Sequence, residues 1–229
     1  MYELLIANKN YSSWSLRPWL LMRTLGIPFA ERQIPFPSGP SYETYRPFSP
    51  TGRVPCLHDG DIAVWDSLAI VEYLAERHPG VWPADPVARA WARSASAEMH
   101  SSFQDLRNTC GMSCGVRVRL RERPAGLLRD IKRVGELWQE GLDRFGGPFL
   151  AGAAFSAVDA FFAPVTFRAL IFDLDFGNRA NAYAEMIRAL PAMREWYDAA
   201  LAETWREVGH EDEIRASGDY IADYRAVAQ

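Results

Sequence analysis

Apolar and polar positions alternate in two rhythms along this chain. Up to about Pro79, short apolar runs of strand length take turns with helical patterns. Glu3-Leu4-Leu5-Ile6-Ala7 is the first such run, and a loop from Asn8 to Ser13 follows it. Leu16 to Leu25 repeats with a helical period. Phe29 to Ile34, Val54 to His58 and Ile62 to Trp65 predict three further strands. Asp59-Gly60-Asp61 between the last two is a hairpin signal. Ser67 to Arg77 predicts a helix whose apolar face is Leu68, Val71, Tyr73, Leu74 and Ala75.

Proline and glycine cluster from Gly80 to Pro86, which marks a linker. Beyond it the period is helical throughout. Helices are expected over Val87 to about Cys110, Ala125 to Phe145, Ala157 to Phe172, Ala182 to Leu190 and Pro191 to Trp205. No strand is expected in this half. Val116 to Arg123 is expected to connect two helices, and the polar last twenty or so residues to wrap the surface. Trp65, Trp138 and Trp196 sit in apolar patterns and are expected in the core. The reading is an α/β domain over residues 1–80 and an all-helical domain over 87–229.

Composition narrows the class. At 229 residues and 48% hydrophobic, the chain can bury a core without a disulfide or metal staple. A formal net charge of −4 argues against nucleic acid as a partner. No apolar run approaches the roughly 18 residues of a membrane span. Three cysteines and an N-terminus without signal-peptide features fit the cytoplasm. Cys110 and Cys114, with His100 nearby, do not make up a zinc ligand set, so they read as structural and no metal is expected. Arg117, Arg119, Arg121 and Arg123 read as a solvated or salt-bridged face.

The order strand, loop, helix, strand, then a proline before a hairpin and a closing helix, is the layout of a thioredoxin-like domain. Such domains carry Cys-x-x-Cys at the start of the first helix, where free N–H groups stabilise a thiolate. Here Ser12 and Ser15 hold that spacing and both sulfurs are absent, which excludes disulfide exchange at this place. What is left is a helix end with hydroxyl donors, suited to someone else's thiolate. A second signal is Val54-Pro55: a cis proline there leaves the Val54 backbone free to pair with an extended peptide. The third is Asp66-Ser67 at a helix start, where a hydroxyl and free N–H groups suit a carboxylate and Asp66 suits an ammonium. Each signal alone also describes an ordinary cap or loop proline. In this order, on these elements, they describe a thiol, a peptide backbone and an amino-acid head, which is glutathione.

At this point the chain resembles the cytosolic glutathione transferases over nearly its whole length, and in particular a zeta-like, serine-type bacterial member. Tyr11-Ser12-Ser13-Trp14-Ser15-Leu16-Arg17 is similar to the zeta Ser-Ser-Cys-Ser-x-Arg signature. Gly52 to Leu57 resembles the Gly-x-Val-Pro-x-Leu segment, and Asp66 to Leu74 the [Glu/Asp/Gln]-Ser-x-Ala-Ile-x-x-Tyr-Leu motif. Ser156 to Asp159 resembles the structural capping box of the helical domain. The resemblance implies that Ser12 bonds the glutathione sulfur, with Ser13 as the alternative. It implies that Val54 and Pro55 hold the cysteinyl unit and that Asp66 and Ser67 hold the γ-glutamyl head. Arg17 is expected to be structural, in a salt bridge under the loop.

Trp14 stands where the zeta signature has cysteine, and is expected to wall the electrophile pocket or to pack against Pro18. That pocket is expected to be apolar and built by the helical half. His100, Phe103 and Arg107 lie on one face of the first long helical pattern, and Gln104 fits the zeta Gln-x-Leu-x-Asn. The implied activity is transfer of glutathione to a small hydrophobic electrophile. The alternatives are a related glutathione-dependent step such as maleylacetoacetate-type isomerisation, dehalogenation or peroxide reduction, and a non-catalytic binder of a ligand or protein. The resemblance also implies a homodimer.

Overall fold

A computed structural model describes residues 1–227. Its first half is a four-stranded sheet in the order β2-β1-β3-β4. Strand β1 (Tyr2–Ile6) runs parallel to β2 (Phe29–Gln33) and antiparallel to β3 (Cys56–Asp59). Leu4, Leu5 and Ile6 are all fully buried, as an inner strand covered on both faces requires. Strand β4 (Ile62–Trp65) closes the hairpin on the sheet edge. That edge position explains Trp65, which is 43% exposed rather than in the core. Trp138 and Trp196 are fully buried.

Helix α1 (Ser13–Thr24) follows β1 and begins earlier than its apolar pattern, because the polar Ser13 and Ser15 already lie in the first turn. A one-turn helix α2 (Tyr42–Tyr45) interrupts the connection to β3. Helix α3 (Ser67–Ala75) packs against α1 and closes this half.

The helical half contains α4 (Pro86–Ser101), α5 (Gln104–Thr109), α6 (Ala125–Phe145), α7 (Ala157–Phe172), α8 (Asn178–Ala189), α9 (Pro191–Ala202) and α10 (Val208–Ser217). Helix α7 is buried on nearly every face and lies against both α1 and α4. Asp159 anchors its start. Its carboxylate accepts the N–H groups of Leu150 and Ser156 and the Tyr183 hydroxyl, each at 3.0 Å. No helix among the described residues is long and apolar enough to cross a membrane.

Two expectations are corrected here. The single helix expected over Val87 to Cys110 is two, α4 and α5. Ser102 is extended and Phe103 is left-handed at φ 62°. The break frees carbonyls of the last turn of α4. Arg107 takes them, donating Nε to Ser102 O at 3.1 Å and Nη2 to Met99 O.

The second correction concerns Val116 to Arg123 and the tail. Residues Val116–Leu120 form strand β5, and Gly218–Asp223 form β6, paired antiparallel as a separate ribbon. Val116 and Val118 point into the core while the arginines between them face out, the ordinary alternation of a half-buried strand. Its partner lies about a hundred residues away, beyond any local pattern. Gly218 is needed where the strands meet, since a Cβ there would sit 2.2 Å from Arg119 O. Arg121 pairs with Asp219 at 2.9 Å across the ribbon.

Candidate functional site

Two cavities open beside the starts of α1 and α3, of about 1040 Å³ and about 360 Å³. Trp14, Arg53 and Val54 border both. The first helix start thus borders one cavity, the cis proline and the second helix start the other, and Val54 stands between them.

Ser12 and Ser13 border the smaller cavity. Ser12 is the residue before α1, yet its hydroxyl does not cap the helix. It bonds the Ser15 hydroxyl instead, at 2.7 Å, and Ser15 Oγ in turn accepts the Ala7 N–H at 3.4 Å. No acidic residue lies in the first turn of α1, so the positive end of the helix is unopposed locally.

The loop carrying Ser12 is fixed from the far side of the chain. Glu203 accepts the N–H groups of Lys9 at 2.7 Å and Asn10 at 3.1 Å, and Trp196 donates to Lys9 O at 2.9 Å. Tyr11 donates to Glu211 at 2.7 Å. Burial alone would raise the Glu211 carboxyl, but the bonds from Arg225 and Tyr11 outweigh it and hold it below the usual carboxylate range.

The Val54–Pro55 peptide is cis. Paired strand β3 begins only at Cys56, and the Val54 backbone enters no turn or loop hydrogen bond among the described residues. Gly52 shapes the approach, with φ +61° and a position where a Cβ would lie 3.0 Å from Tyr42 O.

Asp66, at φ 74°, is the cap of α3, and Ser67 is its first residue, so the cap stands one position ahead of Ser67. One Asp66 oxygen accepts the Leu68 N–H at 2.8 Å, and the other lies 3.5 Å from His100 Nε2. Ser67 is buried and receives Arg17 Nη1 at 3.5 Å. Both border the larger cavity together with His100. Burial chiefly, with Arg17 and Arg107 adding to it against the pull of Asp66, lowers the His100 pKa.

Arg17 carries no salt bridge under the loop. It is fully buried, its Nε has no partner, and its guanidinium lies 4.0 Å from the Trp14 ring centre and 4.9 Å from that of Phe161. Trp14 is stacked from its other partners as well, with Arg107 at 4.6 Å and the edge of His100 at 5.3 Å.

The expected face of His100, Phe103 and Arg107 does not exist as one helix. His100 borders the larger cavity and Arg107 the smaller. Phe103 is buried at the helix break and Gln104 is exposed, and neither borders a cavity. The smaller cavity is also not apolar: Arg53, Arg107 and Arg168 border it. Arg168 was not foreseen, although a lone arginine inside the apolar run Ala157–Phe172 is a visible signal.

Cys56, Cys110 and Cys114 are free and buried, and burial pushes each thiol above its ordinary pKa, to about 11 for Cys56 and about 12 for Cys110. None is poised as a thiolate, so a reactive sulfur has to come from a ligand. Among the described residues no cluster of three or more His, Cys, Asp or Glu side chains is arranged to hold a metal.

Residues 11–77 match the family model of the glutathione S-transferase N-terminal domain, and residues 119–199 that of the C-terminal domain. The chain is 28% identical to a glutathione S-transferase-like protein, OpS6, of Beauveria bassiana, over 78% of this chain and 85% of that one. It is likewise 28% identical to a probable maleylacetoacetate isomerase of Caenorhabditis elegans, over 80% and 87%. Among solved structures it resembles a glutathione transferase homolog from a Burkholderia species with bound glutathione. The TM-score there is 0.67 at 21% identity, covering 87% of this chain and 97% of that one.

Proposed function

The chain belongs to the glutathione S-transferase family, and on that premise we propose that it binds glutathione and presents its sulfur, at Ser12, to an electrophile. One observation carries this reading: Ser12, the free Val54 backbone and the Asp66–Ser67 helix start all border the same pair of joined cavities. The γ-glutamyl head lies at Asp66 and Ser67, the cysteinyl backbone pairs with Val54 beside Pro55, and the sulfur reaches the start of α1. The family models and the Burkholderia homolog's bound glutathione support glutathione as the ligand.

Ser12 acts as a hydrogen-bond donor to the thiolate, not as a base or nucleophile. Ser12 Oγ donates to Ser15 Oγ, which also accepts the Ala7 N–H, so a bound thiolate takes the Ser12 proton over from Ser15, a charged acceptor being the stronger one. Lowering a thiol pKa by about 2 units needs about 2.7 kcal/mol. One hydrogen bond to a charged group, at about 1.5–3 kcal/mol, and a helix end, at about 0.3–1 kcal/mol, supply it. The thiol proton leaves to solvent. The thiolate then forms a carbon–sulfur bond, and the electron pair of the displaced bond departs with the leaving group. Holding both reactants in adjoining cavities supplies much of the remaining acceleration.

A second reading is glutathione-dependent isomerisation, favoured by the relatives in Caenorhabditis elegans and Vibrio cholerae named as probable maleylacetoacetate isomerases. There the thiolate adds to a double bond and is expelled after rotation. The three unpaired cysteines support a cytoplasmic protein. The shallow apolar surface of Ala63, Trp65, Leu68 and Ala69 on β4 and α3, with Trp65 43% exposed, supports a homodimer.

The test is a glutathione titration read by thiolate absorbance across pH. Bound glutathione should ionise well below its free pKa. Ser12→Ala should lose that ionisation and keep binding, while Ser13→Ala should keep both. Ionisation lost in Ser13→Ala alone transfers the role to Ser13. Absence of glutathione binding overturns the reading in favour of a non-catalytic binder.

A further inference from the structure

Tyr11, the residue before Ser12, is held by its side chain from the C-terminal end of the protein. Its ring stacks on His210 of α10, with centres 5.0 Å apart, and its hydroxyl donates to Glu211 at 2.7 Å. The Glu211 carboxylate in turn takes the fork of Arg225, with Nη1 on Oε1 and Nη2 on Oε2, the latter at 3.2 Å. Both partners of this pair are buried, the Arg225 side chain to 3% exposure. Arg225 Nη1 also reaches Ser113 Oγ at 3.3 Å, the hydroxyl that accepts Asn10 Nδ2 at 3.2 Å. One guanidinium thus touches the supports of both residues ahead of Ser12.

Arg225 is itself fixed. It follows β6, and Asp223 takes its Nε at 2.8 Å and its Nη2 at 2.7 Å. The backbone is bonded on either side of it: the Tyr224 N–H donates to Gly115 O at 2.9 Å and the Ala226 N–H to Leu201 O at 2.7 Å. A Cβ on Gly115 would sit 2.3 Å from Arg225 Cγ, so the bare glycine leaves the slot that the arginine fills. A buried ion pair is a weak source of net stability, whereas a guanidinium fork on a carboxylate fixes direction. The Ser12 hydroxyl has its one hydrogen bond, among the described residues, with Ser15. Its placement therefore follows the Tyr11–Ser12 backbone.

We infer that Arg225 is a positioning residue for the thiolate: through Glu211 and Tyr11 it fixes the backbone from which the Ser12 hydroxyl meets the glutathione sulfur. Arg225 borders neither cavity and touches neither reactant. The inference rests on the glutathione reading above, and it gives the β5–β6 ribbon a task, the delivery of Arg225 to the far side of the Ser12 loop.

The experiment is the titration of bound glutathione by thiolate absorbance in the whole protein, on variants that each cut one link. Tyr11→Phe keeps the ring and the ion pair and removes only the bond between them. Arg225→Gln removes the ion pair. Each should raise the bound thiol pKa by about 1 unit and leave glutathione affinity within about twofold. The double variant should rise no further than the larger single one, because both cut the same line. Arg225→Lys keeps a charge on Glu211 and should restore most of the ionisation. A bound thiol pKa unchanged in Tyr11→Phe overturns the inference and leaves the glutathione site standing. A rise in Arg225→Gln alone, or additive rises in the double variant, makes the ion pair a brace of the fold and overturns it as well. Tyr11→Phe and Arg225→Lys decide the matter even where Arg225→Gln does not fold. Failure of the wild type to bind or ionise glutathione overturns the underlying reading, and this one with it.

Discussion

The two cavities share the ring of Trp14 but differ in charge. In the larger one a carboxylate, Asp66, faces the His100 imidazole, and the Arg53 guanidinium, shared with the smaller cavity, lies on the same lining with the hydroxyls of Ser41, Tyr42, Thr51 and Ser67 and the backbone around Val54. Its groups come in complementary pairs, which suits a ligand carrying both signs of charge, such as an amino-acid head. The smaller cavity has Arg53, Arg107 and Arg168 on its lining against a single carboxylate. Its charges are one-sided. The two cavities thus share part of their lining and differ in charge balance.

The largest expected effect comes from removing the carboxylate charge of the larger cavity. Asp66→Asn keeps an oxygen for the Leu68 N–H, so α3 stays capped. Glutathione affinity should fall by about 10- to 100-fold, the equivalent of about 1.5–3 kcal/mol for a hydrogen bond to a charged group. Calorimetry with glutathione checks this, and an unchanged affinity would show that Asp66 does not hold the γ-glutamyl head.

A smaller effect is expected at Ser15. Ser15→Ala removes the acceptor of the Ser12 hydroxyl and leaves that hydroxyl free for the sulfur. The bound thiol pKa should fall or stay within about 0.5 unit of the wild type, whereas Ser12→Ala should raise it, in the same absorbance titration. A rise as large as in Ser12→Ala would show that Ser15 holds the thiolate.

The smallest concerns His100. Burial lowers its pKa in the folded protein, and in the unfolded chain it titrates near its ordinary value. The unfolded state therefore binds the proton first, and stability is lost as pH falls from the ordinary histidine range through the lowered value. Urea denaturation should show that decline, and it should be shallower in His100→Gln. Equal slopes in the two proteins would place the titration elsewhere.

The larger cavity was legible because it is made of chain ends and turns that short motifs specify. A proline before a hairpin and an acidic residue opening a helix each announce themselves within a few residues. The smaller cavity draws Ser12, Arg107, Arg168 and Glu213 from four distant segments, and only packing brings them together. The same limit hid the β5–β6 ribbon, whose strands are about a hundred residues apart. It also hid the break at Phe103, where Arg107 stabilises freed carbonyls that no periodicity reveals. Arg168 was visible as an oddity, a lone charge in an apolar helix, but its purpose depends on which cavity it borders.

Trp14 belongs to both cavities and is gripped by Arg17, Arg107 and His100. Both cavities count Trp14 in their lining, so ligands bound in the two would share a contact with it. On the glutathione reading proposed above, any change that one ligand makes in the other's affinity through this side chain is returned by the same factor.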